Sequence, residues 1–165
     1  MGKDLLARAA EFAAWKHRHQ FRRDGVTPYV EHPKSVLAIL QDEFGVTDPD
    51  TLAAGLLHDT IEDTTTDYDE IRGRFGPRVA AMVAALTKDK RLPEQRRERE
   101  YFAQLARAPV GAKLCKVADT LHNLRDTDAA HRPKALHKGK VLLRTFRGVR
   151  ALARPMEVLR EEMAR

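Results

Sequence analysis

Apolar residues recur at intervals of three and four positions along nearly the whole chain, which is the period of an amphipathic α-helix. Leu5, Ala9, Phe12 and Ala13 show this pattern in the first segment, and nowhere do apolar and polar residues alternate for more than a few positions. The sequence therefore predicts an all-α protein, with about 8–10 helices. Prolines, glycines and capping residues place these helices at roughly 3–19, 33–44, 49–62, 67–75, 77–88, 94–107, 110–127 and 134–153, with a short final helix beyond Pro155.

The length of 165 residues suits a single domain, and the hydrophobic fraction of 42% is enough to bury a core. We therefore expect one domain over residues 1–165. The chain has no apolar run near the ~18 residues that cross a bilayer, and its first residues lack a hydrophobic signal region. These features predict a cytoplasmic protein without membrane contact. The single cysteine, Cys115, excludes an internal disulfide and a multi-cysteine metal site.

The positive charge is concentrated in one late segment. Between Ala129 and Met156 the chain has eight Lys or Arg and no Asp or Glu, whereas the rest carries 22 basic and 24 acidic side chains. The formal net charge of +6 therefore comes entirely from this basic segment. Such a segment either forms a solvated helix face or binds an anionic ligand, RNA or an acidic protein.

Charged residues interrupt an apolar segment in a pattern typical of a metal site. His58 and Asp59 follow directly after the apolar run 52–57, and Glu62 and Asp63 come one predicted helical turn later. Because charged groups are rarely buried without a partner, a divalent cation would explain this cluster. Neutral imidazole and carboxylate groups are ligands that suit Mn, Fe or Zn. In a continuous helix, Glu62 would stack on His58 and Asp63 on Asp59.

Two further residues, Asp119 and His32, are candidate partners of this cluster because of their positions in predicted helices. Asp119 is a carboxylate within the apolar helical stretch 113–121, and Asn123 follows it four positions later. His32 precedes Pro33 at the start of a predicted helix. Together with the His58 cluster, these residues favour a metal site over a chance grouping of surface charges.

Three separated motifs make the pattern specific. They are Thr27–Pro33, Gly55–Thr64 and Lys116–Arg125, and they occur in this order with suitable spacing. With them, the chain resembles the HD-domain hydrolases of the RelA/SpoT type, most closely the stand-alone small alarmone hydrolases. The similarity spans roughly residues 5–128 and fades in the basic C-terminal helical segment 129–165.

The resemblance implies a helical HD fold with one Mn²⁺ per chain. It also implies removal of pyrophosphate from the ribose 3′ position of guanosine tetra- or pentaphosphate, so the expected partner is a hyperphosphorylated purine nucleotide rather than a nucleic acid. The residues that match the family's site are the metal ligands His32, His58, Asp59 and Asp119, the acidic pair beside the attacking water, Glu62 and Asp63, and the substrate-binding residues Arg22, Arg23 and Asn123.

Two departures from the family pattern concern the substrate. Thr120 follows the last metal aspartate, where relatives often have Lys or Arg, so one phosphate contact is missing. The basic segment replaces a mixed-charge helix with aromatic residues. We therefore predict that part of this segment borders the mouth of the active site, where Lys140, Arg144 and Arg147 share one helix face and attract the polyphosphate.

Two other functions are compatible with the sequence. One is an HD phosphohydrolase for another nucleotide, such as an adenosine alarmone, a deoxynucleotide or a cyclic nucleotide. The other is a non-catalytic module that binds a nucleotide or RNA through its basic helix. The complete metal set and the Glu62–Asp63 pair favour catalysis, and the Arg22–Arg23 pair before Thr-Pro-Tyr favours the alarmone type.

Several side chains near these motifs have simpler expected roles. We expect Trp15 and Cys115 to lie in the core, and His17 and His19 to be exposed at a helix end. His122 is expected to pack against its neighbours.

Overall fold

The computed structural model describes residues 2–165, which form an all-helical domain, as predicted. Within these residues the only β-type pairing is an isolated antiparallel bridge between Phe21 and Pro28. The ten α-helices are α1 (Gly2–Lys16), α2 (Glu31–Ala38), α3 (Pro49–Leu57), α4 (Thr60–Asp63), α5 (Tyr68–Phe75), α6 (Pro77–Leu86), α7 (Glu94–Arg107), α8 (Val110–Arg125), α9 (Arg132–Thr145) and α10 (Ala153–Met163). A π-helical turn, Ile39–Glu43, continues α2, and a 3₁₀ turn, Arg150–Leu152, precedes α10.

Helix α3 is the centre of the fold. Every residue from Thr51 to Leu57 is buried, and α1, α2, α6 and α8 all pack around this helix. A helix that is apolar on all sides is stable only when other elements surround it. Its start is fixed by Asp48, whose side chain accepts a hydrogen bond from the Thr51 amide, and by Pro49 in the first turn. The end of α3 therefore delivers His58 and Asp59 into the interior.

Gly55 lets the π-helical turn approach α3 closely. A Cβ atom at this position would lie 2.5 Å from Cδ1 of Leu40, closer than side-chain packing permits. The same residue supplies the carbonyl that accepts a hydrogen bond from Nδ1 of His58, at 2.7 Å. A side chain at position 55 would therefore force Leu40 or α3 to move, and such a shift of α3 would also move the carbonyl that orients His58.

The predicted helix over 49–62 is broken in the structure. It ends at Leu57, and α4 begins at Thr60, so the prediction that Glu62 and Asp63 stack on His58 and Asp59 along one continuous helix was wrong. Side chains cause the break: the His58 imidazole bonds the Gly55 carbonyl, and the Thr60 hydroxyl bonds the Leu57 carbonyl. Such side-chain bonds compete with the backbone for helical acceptors.

The C-terminal boundaries also differ from the prediction. Helix α9 ends at Thr145, and Gly148 with φ of 82° turns the chain before the last helix. Pro155 lies inside the first turn of α10 and does not separate two helices. Proline is tolerated there because the first amides of a helix have no intrahelical acceptor.

Trp15, in α1, and His17, just after its last residue, exchange their expected environments. Trp15 is 51% exposed, whereas His17 is only 2% exposed. The reason is helical phase, because Ala9, Ala13 and His17 are four residues apart and share the buried face. Cys115 is buried, as predicted.

The last helix is tied to the site-bearing helix α8 by ion pairs. Arg125 bonds Glu162 of α10 at 3.0 Å and Glu43 of the π-helical turn at 2.6 Å.

None of the helices within residues 2–165 is both long enough and apolar enough to cross a membrane.

Candidate metal centre and substrate pocket

Side chains from three places in the fold converge at the end of α3. His32 is near the start of α2, His58 and Asp59 form the break between α3 and α4, and Asp119 is on α8. The ligand atoms of His32, His58 and Asp59 all lie within 4.8 Å of one another. Oδ1 of Asp119 is 3.1 Å from Nε2 of His32 and 3.7 Å from Nε2 of His58. The structure thus brings together all four residues that the resemblance implies as metal ligands.

The charges of this cluster depend on one another. Burial alone would lower the pKa of His58, but the carboxylates of Asp59 and Asp119 outweigh it and raise that pKa well above its ordinary value. Burial would likewise raise the pKa of Asp119, yet the Lys116 ammonium group and the two histidines hold it well below its usual range. Against the effect of burial, the two histidines also hold the pKa of Asp59 below its usual range. Two carboxylates, one buried and one partly buried, therefore place negative charge at this point, which a cation would balance.

The orientation of both imidazoles fits a bound cation. Nδ1 of His58 donates to the Gly55 carbonyl, so in the neutral ring Nε2 carries the free lone pair and faces the cluster. Nδ1 of His32 lies 2.7 Å from Nδ1 of His122. Burial and the adjacent His32 lower the pKa of His122 to about 4, so a neutral His122 can accept the proton of His32. Both Nε2 atoms are then available as ligands, and the donor set suits a divalent metal ion.

Neighbouring side chains fix the two carboxylates. The hydroxyl of Tyr29 donates to Oδ2 of Asp59 at 2.6 Å. Lys116 donates to Oδ2 of Asp119 at 2.7 Å, and Asn123 donates to its Oδ1 at 2.6 Å. Outer hydrogen bonds of this kind orient ligands and strengthen metal sites.

Both members of the acidic pair lie on α4 and are held by the loop after α6. Oε1 of Glu62 accepts the backbone N–H of Lys88 at 2.7 Å, and Oδ1 of Asp63 accepts the ammonium group of Lys90 at 2.7 Å. Burial raises the pKa of Glu62, and the carboxylates of Asp59 and Asp63 add to the rise. Both acids are partly buried but have different partners: Glu62 accepts a backbone amide, whereas Asp63 is paired with a cation.

A pocket of about 540 Å³ opens beside Asp119. It is bounded by the 21–29 segment, the loop after α6, and helices α7, α8 and α9. The lining of this pocket includes Phe21, Arg22, Arg23, Tyr29, Lys88, Glu98, Tyr101, Lys116, Asp119, Thr120, Asn123, Lys134, Lys138 and Leu142. The three substrate-binding residues implied by the resemblance are all in this lining, whereas Glu62 and Asp63 are not part of it.

Arg22 has an anchoring position in this pocket. Its guanidinium group bonds Asn123 at 3.0 Å and Asp126 at 2.8 Å, and it lies 5.7 Å from the centre of the Tyr29 ring. The arginine therefore joins the 21–29 segment to α8. Arg23, which is exposed, has no hydrogen-bond or ion-pair partner within residues 2–165.

One wall of the pocket carries excess positive charge. Lys88 is paired with Glu98 at 2.6 Å and Lys116 with Asp119, but Lys134 and Lys138 have no ion pair within the described residues. Partial burial, together with Lys88 and Lys116, lowers the pKa of Lys138. Like charges crowded in this way favour an anionic ligand.

Helix α9 borders the pocket, but not with the predicted residues. Lys134 and Lys138 line it, whereas Lys140, Arg144 and Arg147 are exposed outside the lining. The rotation of the helix is set by its buried residues Gly139 and Leu142, and the residue that follows the helix, Phe146, is buried too. The sequence allows either the face with Lys134 and Lys138 or the face with Lys140 and Arg144 to border the pocket. Only the burial of these apolar residues decides that it is the first.

Sequence reasoning missed several residues of the site. The i, i+3 spacing of Lys116 and Asp119 was a usable signal, because such neighbours meet on a helix. Tyr29 lies inside the Thr27–Pro33 motif but was given no role. The contacts of Lys88 with Glu98 and of His122 with His32 join separate segments, and no local pattern marks them.

Comparisons with known proteins agree with this geometry. The profile of the HD domain family matches residues 9–149. The chain is 50% identical over 122 residues to guanosine-3′,5′-bis(diphosphate) 3′-pyrophosphohydrolase MESH1 of Mus musculus, which covers 73% of this chain and 68% of the relative. A guanosine-3′,5′-bis(diphosphate) 3′-pyrophosphohydrolase of Aquifex aeolicus is 41% identical over 123 residues, which is 73% of this chain and 17% of that protein.

A solved structure has the same fold over almost its full length. It is described as a metazoan ortholog of SpoT that hydrolyzes ppGpp and plays a role in starvation responses. The TM-score is 0.86 with 34% sequence identity, and the match covers 97% of this chain and 94% of the other.

Proposed function

Because the chain belongs to the HD-domain family, we propose that it is a Mn²⁺-dependent hydrolase that removes pyrophosphate from the 3′ position of ppGpp. The observation that carries this proposal is the convergence of two imidazoles and two carboxylates beside a lysine-rich pocket, whose lining includes Asp119 of the cluster. The similarity to proteins named as guanosine-3′,5′-bis(diphosphate) 3′-pyrophosphohydrolases supports the same substrate.

We assign four metal ligands: His32, His58, Asp59 and Asp119. Mixed nitrogen and oxygen donors suit Mn²⁺ among the divalent ions. When bound, such an ion supplies Lewis acidity, which polarises a phosphoryl group and makes water a better nucleophile at neutral pH. The charges of Asp59 and Asp119 balance the ion, and Tyr29 and Lys116 hold these carboxylates in place.

We assign a different proton transfer to each member of the acidic pair, Glu62 and Asp63. Asp63 is partly exposed and paired with Lys90, and we assign it the role of general base, which accepts a proton from the attacking water. Glu62 accepts the Lys88 amide in a partly buried site that raises its pKa, and we assign it the role of general acid, which donates a proton to the leaving 3′ oxygen of the ribose. Two carboxylates in unequal environments are the usual arrangement for such a division. The products are then GDP and pyrophosphate.

The substrate is held by positive charge around the pocket. We assign Arg23 and the lysines of α9 to phosphate binding, because none of them is neutralised by a carboxylate. Asn123 bridges Asp119 and Arg22, and therefore couples the nucleotide pocket to the metal ligands.

A direct assay tests this function. With ppGpp and Mn²⁺ we expect equimolar GDP and pyrophosphate, and no turnover after chelation and removal of the ion. Anion-exchange chromatography separates these products. Release of orthophosphate instead of pyrophosphate, or turnover that persists without divalent ions, would contradict the proposal.

The two basic faces of α9 provide a matched test of substrate attraction. The double variant Lys134→Gln with Lys138→Gln removes two charges from the pocket wall, so kcat/KM at low salt should fall by about tenfold and depend less on salt. The double variant Lys140→Gln with Arg144→Gln removes the same charge from the same helix outside the pocket. It should behave like the parent. Equal losses in both variants would show that only net charge matters.

A further inference from the structure

Phe21 is an exposed aromatic side chain that forms part of the pocket. Its side chain is 55% exposed, and it lines the cavity next to Arg22 and Arg23. It does not belong to the hydrophobic core, and no aromatic ring or cation within residues 2–165 stacks on it. An isolated exposed phenylalanine is common on protein surfaces, so its position decides whether it has a role.

Backbone hydrogen bonds fix the chain on both sides of Phe21. The Tyr29 amide bonds the Gln20 carbonyl at 2.9 Å, and the Arg22 amide bonds the Thr27 carbonyl at 2.8 Å. The turn between them is closed by Asp24, whose carboxylate accepts the amides of Val26 and Thr27. The phenyl ring is thus carried on a preorganised hairpin, which lowers the entropy cost of using it in binding.

The arginine beside Phe21, Arg22, already has hydrogen-bond partners within the protein. The guanidinium group of Arg22 is bonded to Asn123 and Asp126 and faces the Tyr29 ring, so these contacts would have to break before it could cover a base. The other rings of the pocket already have partners. Tyr29 bonds Asp59, and Tyr101 is buried with its hydroxyl on the Leu86 carbonyl. Phe102 packs edge-on against Tyr101 and against the core, and the His131 ring bonds Asp128. Phe21 is left with a free face.

We propose that Phe21 is the stacking platform for the purine base of the substrate. This inference rests on the proposed function, because it takes the ligand to be a nucleotide whose phosphates point to the metal cluster and the α9 lysines. Stacking on a phenyl ring makes no hydrogen bonds to base edges, so the platform accepts guanine and adenine alike. The pocket therefore also binds 3′-pyrophosphorylated adenosine nucleotides.

Replacing the ring tests the proposal. Phe21→Ala should raise KM for ppGpp by at least about fivefold with little change in kcat, because base stacking is worth that much or more. KM for the adenosine analogue should rise by the same factor, and Phe21→Tyr should restore the parent values. Val26→Ala is the matched control, since Val26 is 77% exposed on the same hairpin and outside the pocket lining.

A second readout separates stacking from a loss of structure. Inhibition by inorganic pyrophosphate should be unchanged in Phe21→Ala, whereas inhibition by GDP should weaken. An unchanged KM, an effect confined to one base, or equal weakening by pyrophosphate and GDP would overturn the platform. If the parent does not hydrolyse ppGpp, the proposed function fails instead, and calorimetric titration with GDP still tests Phe21 by the same comparison.

Discussion

Replacing Asp119 should abolish hydrolysis and weaken metal binding together. Asp119→Ala removes one of the four proposed ligands, and kcat/KM should fall by roughly 10³-fold or more, since a metal ion contributes several kcal/mol to the transition state. Titration calorimetry with Mn²⁺ should show weaker binding in the same variant. The expected loss is large because both histidines lie within 3.7 Å of Oδ1 of Asp119.

A conservative variant keeps this test interpretable. Asp119→Ala leaves Lys116 without its partner and can destabilise the fold for that reason. Asp119→Asn keeps the size of the side chain and removes only the charge, and it should give the same loss of metal affinity. Asp42→Asn is the control, because Asp42 is an exposed carboxylate outside the cluster. Parental activity and metal affinity in Asp119→Asn would reject the assignment.

The metal cluster could be predicted because its polar and charged residues interrupt or follow apolar segments of the sequence. His58 and Asp59 follow an apolar run, and Asp119 interrupts another, so the sequence itself indicates buried charge that needs compensation. The all-helical class was predictable for a related reason, since periodic apolar positions extend along the chain. Both predictions depend on patterns that are local in the sequence.

Features that depend on packing between segments could not be predicted. The break between α3 and α4 arises from the His58 and Thr60 side chains bonding backbone carbonyls, which helical periodicity does not reveal. Helix α9 has two basic faces, and only the burial of Leu142 in that helix and of Phe146 just beyond it decides which one borders the pocket. His17 was misjudged because its charged neighbours suggested exposure, whereas its phase with Ala13 buries it.

Replacing Glu62, the proposed general acid, should cause the second large loss of activity. Glu62→Gln keeps the size of the side chain but cannot donate the proton, so kcat should fall by ~10²-fold or more while Mn²⁺ stays bound. The reason lies in the position of Glu62, which is partly buried and fixed by the Lys88 amide, with a pKa raised mainly by burial. Steady-state kinetics and a metal titration on the same sample separate the two effects.

The pH profile shows which member of the pair is the acid. A general acid acts in its protonated form, so kcat of the parent should fall as the pH rises through the raised pKa of Glu62. Glu62→Gln should lose this alkaline limb. Asp63→Asn should keep the alkaline limb and lower kcat at every pH, because it removes the proposed general base and leaves the proposed general acid in place. The assignment is reversed if Asp63→Asn removes the alkaline limb, and the pair has no catalytic role if both variants match the parent at every pH.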